Sequence, residues 1–336
     1  MMSKPIAVII SDVHYNINTL EIADRCMTLA LAAANGLDVD LVVAGDLHDT
    51  KANLRAECVN ALKRILSRVK NRAIIMRGNH DSLNEKSSKT ALEFLGGGEK
   101  VILVNSPDTL LFKKTPVYLI PYQHDLAALK AWLKPIPKTH TVIMHQGING
   151  SNSGEYIKDA TALNPEDVAG LRVISGHYHA RQTIQLPDGG QWDYIGNPYT
   201  LTYGEAKDPE KGFQILHDDG SLEFVPTNQR KHIIFDIPAS GIKGTVLVYN
   251  PEDLLWLKIT GTKEELSKWN RDKIVSTLSI QAASVRIDMI PVDNKSKLVQ
   301  DKPMSQHELL DTLIDADETT SDAQKTRLRK LWRNLI

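Results

Sequence analysis

Five apolar runs in this 336-residue chain each stop at a residue able to bind a metal or move a proton. Residues 6–10 run into Ser11-Asp12-Val13-His14, and residues 41–44 into Gly45-Asp46-Leu47-His48-Asp49. Residues 73–76 lead to Gly78-Asn79-His80-Asp81. Residues 141–144 meet His145, and residues 171–174 lead to Ser175-Gly176-His177-Tyr178-His179. Carboxylate and carboxamide oxygens mixed with imidazole nitrogens suit manganese, magnesium, iron or zinc, and the lack of thiolates argues against a structural zinc knot. Asp12 and His14 are two apart, so in an extended segment they share a face and can chelate one ion; His177 and His179 follow the same logic. Asp46 has two oxygens with which to bridge two ions, while Asn79 and His145 add an amide oxygen and a further nitrogen. Seven ligands over two ions about 3.5–4 Å apart describe a two-metal hydrolase site, which makes hydroxide near neutral pH and clamps a phosphoryl group. His80, beside Asn79 but pointing elsewhere, suits protonation of a leaving oxygen. Asp49 and Asp81 are candidate catalytic residues beside it, with Asp81 orienting the His80 ring. Singly, each fragment is an ordinary turn; five in order, each closing an apolar run, make a site.

The elements that must position these residues alternate between strand and helix through the first half. A helix is expected over 20–35, ended by Asn35-Gly36, and another over 53–69. The order implies a largely parallel or mixed sheet with helices on its faces. Ligands in such sheets gather at the carboxyl ends of the strands. Past Gly96-Gly97-Gly98 the chain is richer in strands, and from about 183 to 236 short strands alternate with turns such as Pro187-Asp188-Gly189-Gly190. A second sheet stacked on the first follows, an α/β sandwich. A boundary is placed near residue 230. Residues 231–292 then read as a small β-α-β cap whose helix spans 262–278, opened by a Thr262–Glu265 capping box. Residues 293–336 hold a polar linker and two short amphipathic helices, at 305–314 and 321–335.

A net charge of −1 gives no global basic footprint, so any grip on nucleic acid must be local. No apolar run approaches the ~20 residues of a membrane span. Cys26 and Cys58 have no C-x-x-C partner and read as buried thiols in a reducing compartment, the cytoplasm by default.

D-x-H, G-D-x-x-D, G-N-H-D, a lone His after a strand and G-H-x-H, in that order, resemble the calcineurin-like metallophosphoesterases. The resemblance implies a two-layer β sandwich flanked by helices. It also implies one metal held by Asp12, His14, Asp46 and His179, and a second by Asp46, Asn79, His145 and His177. Downstream, Tyr194-Ile195-Gly196-Asn197-Pro198 with Lys211-Gly212-Phe213 is similar to a segment of the SbcD-type repair nucleases, most of all their phage members. That likeness implies a manganese-dependent exonuclease or endonuclease of DNA recombination and repair. Such a nuclease works with an SMC-like coiled-coil ATPase, as a homodimer within a heterotetramer, in the host cytoplasm if of phage origin. Cellular relatives carry His three residues after the bridging Asp, where this chain has Asp49, which bears on the balance of exonuclease and endonuclease action.

Candidate DNA contacts flanking the site are Lys51, Arg55, Arg77, Lys86 and Lys89. Leu309, Leu313, Leu328, Leu331, Trp332 and Leu335 form apolar stripes on the terminal helices, fit to dock on a coiled coil. No G-x-x-x-x-G-K-[ST] occurs, so the ATPase must be another chain. The competing expectations are a small-substrate phosphodiesterase or protein phosphatase on the same fold, and a non-catalytic scaffold. A scaffold should have lost ligands, and all seven are present.

Overall fold

The computed structural model describes residues 3–292 apart from 52, 85–86, 88, 97, 152–160 and 209, together with 314–315 and 321–333. Strands that are apolar on both faces need a partner layer on each side. β1 (Pro5–Ile10), β2 (Asp40–Ala44) and β3 (Ala73–Met76) are of this kind, and pair in parallel with β4 (Val101–Val104) beyond β3. β11 (Gly212–His217) and β12 (Leu222–Pro226) add antiparallel strands outside β1, giving the order β12-β11-β1-β2-β3-β4. The second sheet runs β5 (Asp108–Phe112), β6 (Thr115–Ile120), β7 (Thr141–His145), β8 (Arg172–Gly176), β10 (Gln191–Tyr194), β9 (Gln182–Gln185). Its four central strands are parallel and its two edges antiparallel.

The two-residue period of β1 shows how the layers are assigned. Ala7 and Ile9 face the second sheet, in a cluster with Val42, Ile74, Leu119, Ile143 and Ile174. Val8 and Ile10 face the other way, against Cys26, Met27 and Leu31 of α1 (Leu20–Leu37) and Leu62 and Ile65 of α2 (Ala56–Leu66). On the outer face of the second sheet, Leu129 and Leu133 of α3 (Leu126–Leu133) pack with Val142, Val173 and Trp192. The result is the expected α/β sandwich of two sheets flanked by helices. Because β1–β3 and β7–β8 end at one edge, both sheets deliver their terminal residues to the same place.

A third, wholly parallel sheet holds β13 (His232–Pro238), β14 (Leu254–Gly261) and β15 (Ser284–Pro291). It has its own apolar cluster, in which Leu257 and Ile259 meet Leu266 and Ile274. Among the described residues no helix is long and apolar enough to cross a membrane.

Three boundaries differ from the sequence pattern. α1 runs through Asn35-Gly36 and stops at Leu37, with Asp38 in the left-handed region at φ 56°. The Asn35 side chain is spent on the Arg68 carbonyl and the Lys70 amide, so it ties the helix to the end of α2 rather than ending it. The expected 53–69 helix is confined to Ala56–Leu66. The single helix expected over 262–278 is two, α4 (Lys263–Ser267) and α5 (Arg271–Thr277). Asn270 interrupts them by accepting the Lys273 amide as a fresh N-cap, while the Thr262–Glu265 capping box forms as read.

Candidate metal centre

The seven candidate ligands converge because the backbone bends sharply at the strand ends. Asp12, His14, Asp46 and His177 have φ of 53°, 50°, 50° and 89°, in a region that non-glycine residues rarely enter and that clusters at functional sites. Neighbouring turns hold these conformations: the Asp12 amide donates to the Gly45 carbonyl at 3.1 Å and the His14 amide to the Asp46 carbonyl at 3.0 Å. The His177 amide donates to the Asp12 carboxylate at 3.1 Å, linking the two sheets. Two glycines are needed for contact. A Cβ on Gly45 (φ 91°) would collide with the His145 ring, and one on Gly78 with the Asp46 carboxylate.

The side chains gather into overlapping clusters: Asp12, His14 and His179; Asp46, His145 and His177; and His14, Asp46 and His80. Within each, the ligand-type atoms lie within 4.8 Å of one another. His14 Nε2 stands 3.2 Å from His179 Nε2 and 3.9 Å from Asp46 Oδ2. Asn79 Oδ1 lies 3.0 Å from His145 Nε2 and 2.9 Å from His177 Nδ1, and His145 Nε2 is 3.3 Å from Asp46 Oδ2. Asp46 is therefore shared between the two groups. Clusters of three oxygen and nitrogen donors at a strand edge, with the Asn79 amide oxygen beside His145 and His177, fit divalent metal ions.

The electrostatics follow from packing carboxylates and imidazoles together out of water. Burial works against the charged form of His145, but the Asp46 carboxylate overrides it and lifts the imidazole to about 9. Asp46, opposed by the same burial, is held well below the usual carboxylate range by His145, His14 and His80. His14 is also raised despite its burial, through the Asp49 carboxylate, which lies 3.1 Å from its Nδ1. Asp81 goes the other way, pushed up to about 6 by burial and by Asp46.

His80 Nδ1 donates to the Asp49 carbonyl at 2.6 Å, and its amide donates to Asp46 Oδ1 at 2.8 Å. Its ring meets His14 edge-on, with centroids 4.8 Å apart. Asp81 does not orient that ring. Its carboxylate accepts from the backbone amides of Leu47, His48 and Gly78, so it knits the β2 and β3 turns together beneath the site.

Arg77 is not a surface DNA contact. It is 3% exposed, and its guanidinium donates to Ser82 Oγ and to the Tyr122 carbonyl. Arg55 is exposed and paired with Glu57, Lys89 is exposed, and Lys51 is half-buried. Lys86 lies outside the described residues, as do Leu309, Leu313 and Leu335 and the side chains of Leu331 and Trp332. Of the terminal pair, helix Asp322–Arg333 is seen, with Leu328 46% exposed and Arg329 paired to Asp315.

Sequence reasoning missed Glu205. Its Oε1 accepts from His179 Nδ1 at 2.8 Å, and its Oε2 from Asn197 Nδ2 and the Leu201 amide. Burial works against its charge, but the His179 bond and Lys211 hold it down to about 2. Lys211 Nζ also donates to the His179 carbonyl at 2.9 Å. The Gly-Asn-Pro and Lys-Gly-Phe fragments were visible in the sequence; that they cradle His179 was not.

This chain belongs to the calcineurin-like phosphoesterase family, which matches residues 7–181, more than half of its length. Members are metal-dependent hydrolases, and the site has the donor set for divalent metals. The chain is similar to 244L of Invertebrate iridescent virus 6, provisionally named a phosphoesterase, at 24% identity over 287 residues, 79% of this chain and 97% of that protein. It is also similar to exonuclease subunit 1 of Enterobacteria phage T4, at 23% identity over 205 residues, 59% of this chain and 58% of that protein. The chain thus matches little more than half the length of the phage relative. Among solved structures it resembles a dimetal phosphatase from Danio rerio, with a TM-score of 0.43 at 12% identity, covering 67% of this chain and 98% of that one. It also resembles the nuclease MPE of Pseudomonas putida, with a TM-score of 0.32 at 15% identity, covering 66% and 88%.

Proposed function

We propose that this chain is a manganese-dependent DNA nuclease subunit that hydrolyses phosphodiester bonds for recombination, repair or end processing. The observation that carries the reading is the sharing of Asp46 between two clusters of imidazole, carboxylate and amide donors. Asp12, His14, Asp46 and His179 would hold one ion, and Asp46, Asn79, His145 and His177 the other. Bound there, such ions lower the pKa of a water and neutralise charge on phosphoryl oxygens. The chain's own contribution is positional. The Asp49 carbonyl fixes the proton of His80 on Nδ1 and leaves Nε2 to exchange a proton with the leaving oxygen. The similarity to a phage protein named exonuclease subunit 1 supports a nuclease that works within a complex. The resemblance of the Tyr194–Pro198 and Lys211–Phe213 fragments to the SbcD-type nucleases extends this reading to DNA as substrate and to an SMC-like ATPase as partner, in a heterotetramer built on a homodimer of this chain. The exposed apolar Leu328 on helix Asp322–Arg333 fits that docking.

The test is incubation of the purified protein with manganese and a panel of linear DNA, hairpin DNA, cyclic nucleotides and aryl phosphodiesters. Cleavage of DNA is expected. Turnover confined to nucleotides and aryl esters would replace the nuclease with a small-substrate phosphodiesterase. Metal uptake without turnover of any substrate would make the chain a scaffold.

A further inference from the structure

One short turn touches both the metal centre and the third sheet. Tyr203–Glu205 forms a single 3₁₀ turn, capped by Thr202, whose hydroxyl accepts the Gly204 amide. At one end is Glu205, with a side chain only 12% exposed and its Oε1 on His179 Nδ1. At the other end the Tyr203 hydroxyl donates to the Leu255 carbonyl of β14 at 3.1 Å. The Tyr203 ring meets His232 of β13 edge-on at 4.8 Å and Trp256 of β14 at 5.5 Å. Thr200, just before the turn, bonds His232 through its hydroxyl at 2.9 Å. The same segment holds the main chain of residue 179, since the Asn197 amide and Lys211 Nζ both donate to its carbonyl.

We propose that Glu205 is a positioning residue for His179, and that the third sheet, acting through Tyr203, sets the metal affinity of the half-site that His179 serves. The inference rests on the two-metal reading above. Its physical basis is the carboxylate–imidazole pair. A carboxylate on Nδ1 fixes the proton there, keeps the Nε2 lone pair aimed at the site and raises the basicity of the ring. His179 Nε2 is aimed at the point it would share with His14 and Asp12. The turn is three residues long and anchored at both ends, so displacement of β13 and β14 is passed to Glu205 with little slack. The imidazoles of the other half are held elsewhere, His145 by the Ala44 carbonyl and His177 by stacking on Tyr178. Among the described residues the link to the third sheet therefore runs to the half that His179 serves.

The experiment is a manganese titration of the full chain, following free Mn²⁺ by electron paramagnetic resonance, with urea unfolding as a parallel readout. Glu205→Gln keeps the shape of the side chain and removes its charge. The expected result is one site weakened about 10- to 100-fold and the other unchanged. Tyr203→Ala should weaken the same site by a smaller factor. Unchanged affinities in Glu205→Gln would overturn the proposal. So would equal weakening of both sites in step with a lower unfolding midpoint, which makes Glu205 a residue of the fold alone. Wild-type affinities in Tyr203→Ala would overturn the link to the third sheet. A wild-type protein that takes up no manganese would remove the two-metal reading, and this inference with it.

Discussion

The two halves of the centre hold their imidazoles by different means. His14 and His179 lean on carboxylates, Asp49 at 3.1 Å and Glu205 at 2.8 Å, each brought in by a loop. His145 instead donates Nδ1–H to the Ala44 carbonyl at 2.8 Å, at the end of a central strand, and is fully buried. His177 stacks on Tyr178, with ring centroids 5.0 Å apart and planes 26° from parallel. In the first half, ring orientation rests on side-chain charge, so on the proposed reading a substitution would change metal affinity without disturbing the core. In the second, ring orientation is set by main chain and packing, so it is as rigid as the sandwich itself. On the proposed two-metal reading, one ion's site would be tunable while the other stays fixed.

Asp46 belongs to both halves, so it gives the largest effect and ends the contrast. Asp46→Asn should weaken uptake at both sites together and remove hydrolysis. Metal analysis beside the activity assay checks this, and two tightly held ions in that variant would refute the bridging role. His80→Ala comes next. The side chain sits between the halves without being required by either, so metal content should stay at the wild-type level while activity falls by about 10²–10⁴. Loss of an ion would make His80 a ligand, as its nearness to His14 and Asp46 allows. Asp49→Asn tests the contrast directly. It should weaken one site about tenfold, leave the other untouched and reduce activity only at limiting manganese. Equal weakening of both sites would mean the halves are not separable.

The parts of this arrangement visible in the sequence are those with local signals. An apolar run that stops at a ligand-type residue is such a signal, which is why the strands before Asp12, Asp46, Asn79, His145 and His177 could be placed. Layering followed from the alternation of strand and helix in the first half and from the short strands and turns beyond residue 183. Glu205 was missed because its partnership with His179 spans 26 residues and depends on a 3₁₀ turn with no periodic pattern. Asp81 was assigned to its neighbour His80, as adjacency suggests, but the β3 turn sends its carboxylate inward to three backbone amides. The helix over 262–278 was read as one from its opening capping box; Asn270 restarts it by capping. In each case a polar side chain satisfied a backbone or ring group that sequence spacing cannot locate.

Arg77 and the other candidate DNA contacts extend the contrast from the halves of the site to its surroundings, where the expected effects are smallest. A cation in sequence reads as exposed, but Arg77 is buried and bonds Ser82 and the Tyr122 carbonyl, joining the loop after β3 to the loop after β6. Arg77→Gln should lower unfolding stability by about 1–3 kcal/mol, because it strips hydrogen bonds from buried partners. It should leave the salt dependence of DNA binding unchanged. Of the remaining candidate DNA contacts, Arg55 and Lys89 are exposed and Lys51 is half-buried; their replacement by Gln should do the reverse, with stability held and affinity reduced. On duplex DNA each lost phosphate contact flattens the log–log salt slope by about 0.9. The Arg55–Glu57 pair already occupies one of these cations, so Arg55→Gln should flatten the slope less than Lys89→Gln. Binding titrations between 50 and 200 mM salt, roughly the range over which phosphate contacts dominate, separate the two classes. A slope that moves with Arg77 and stays fixed with Lys51 and Lys89 would mean that the path of DNA runs over the buried loops, and would invert the assignment.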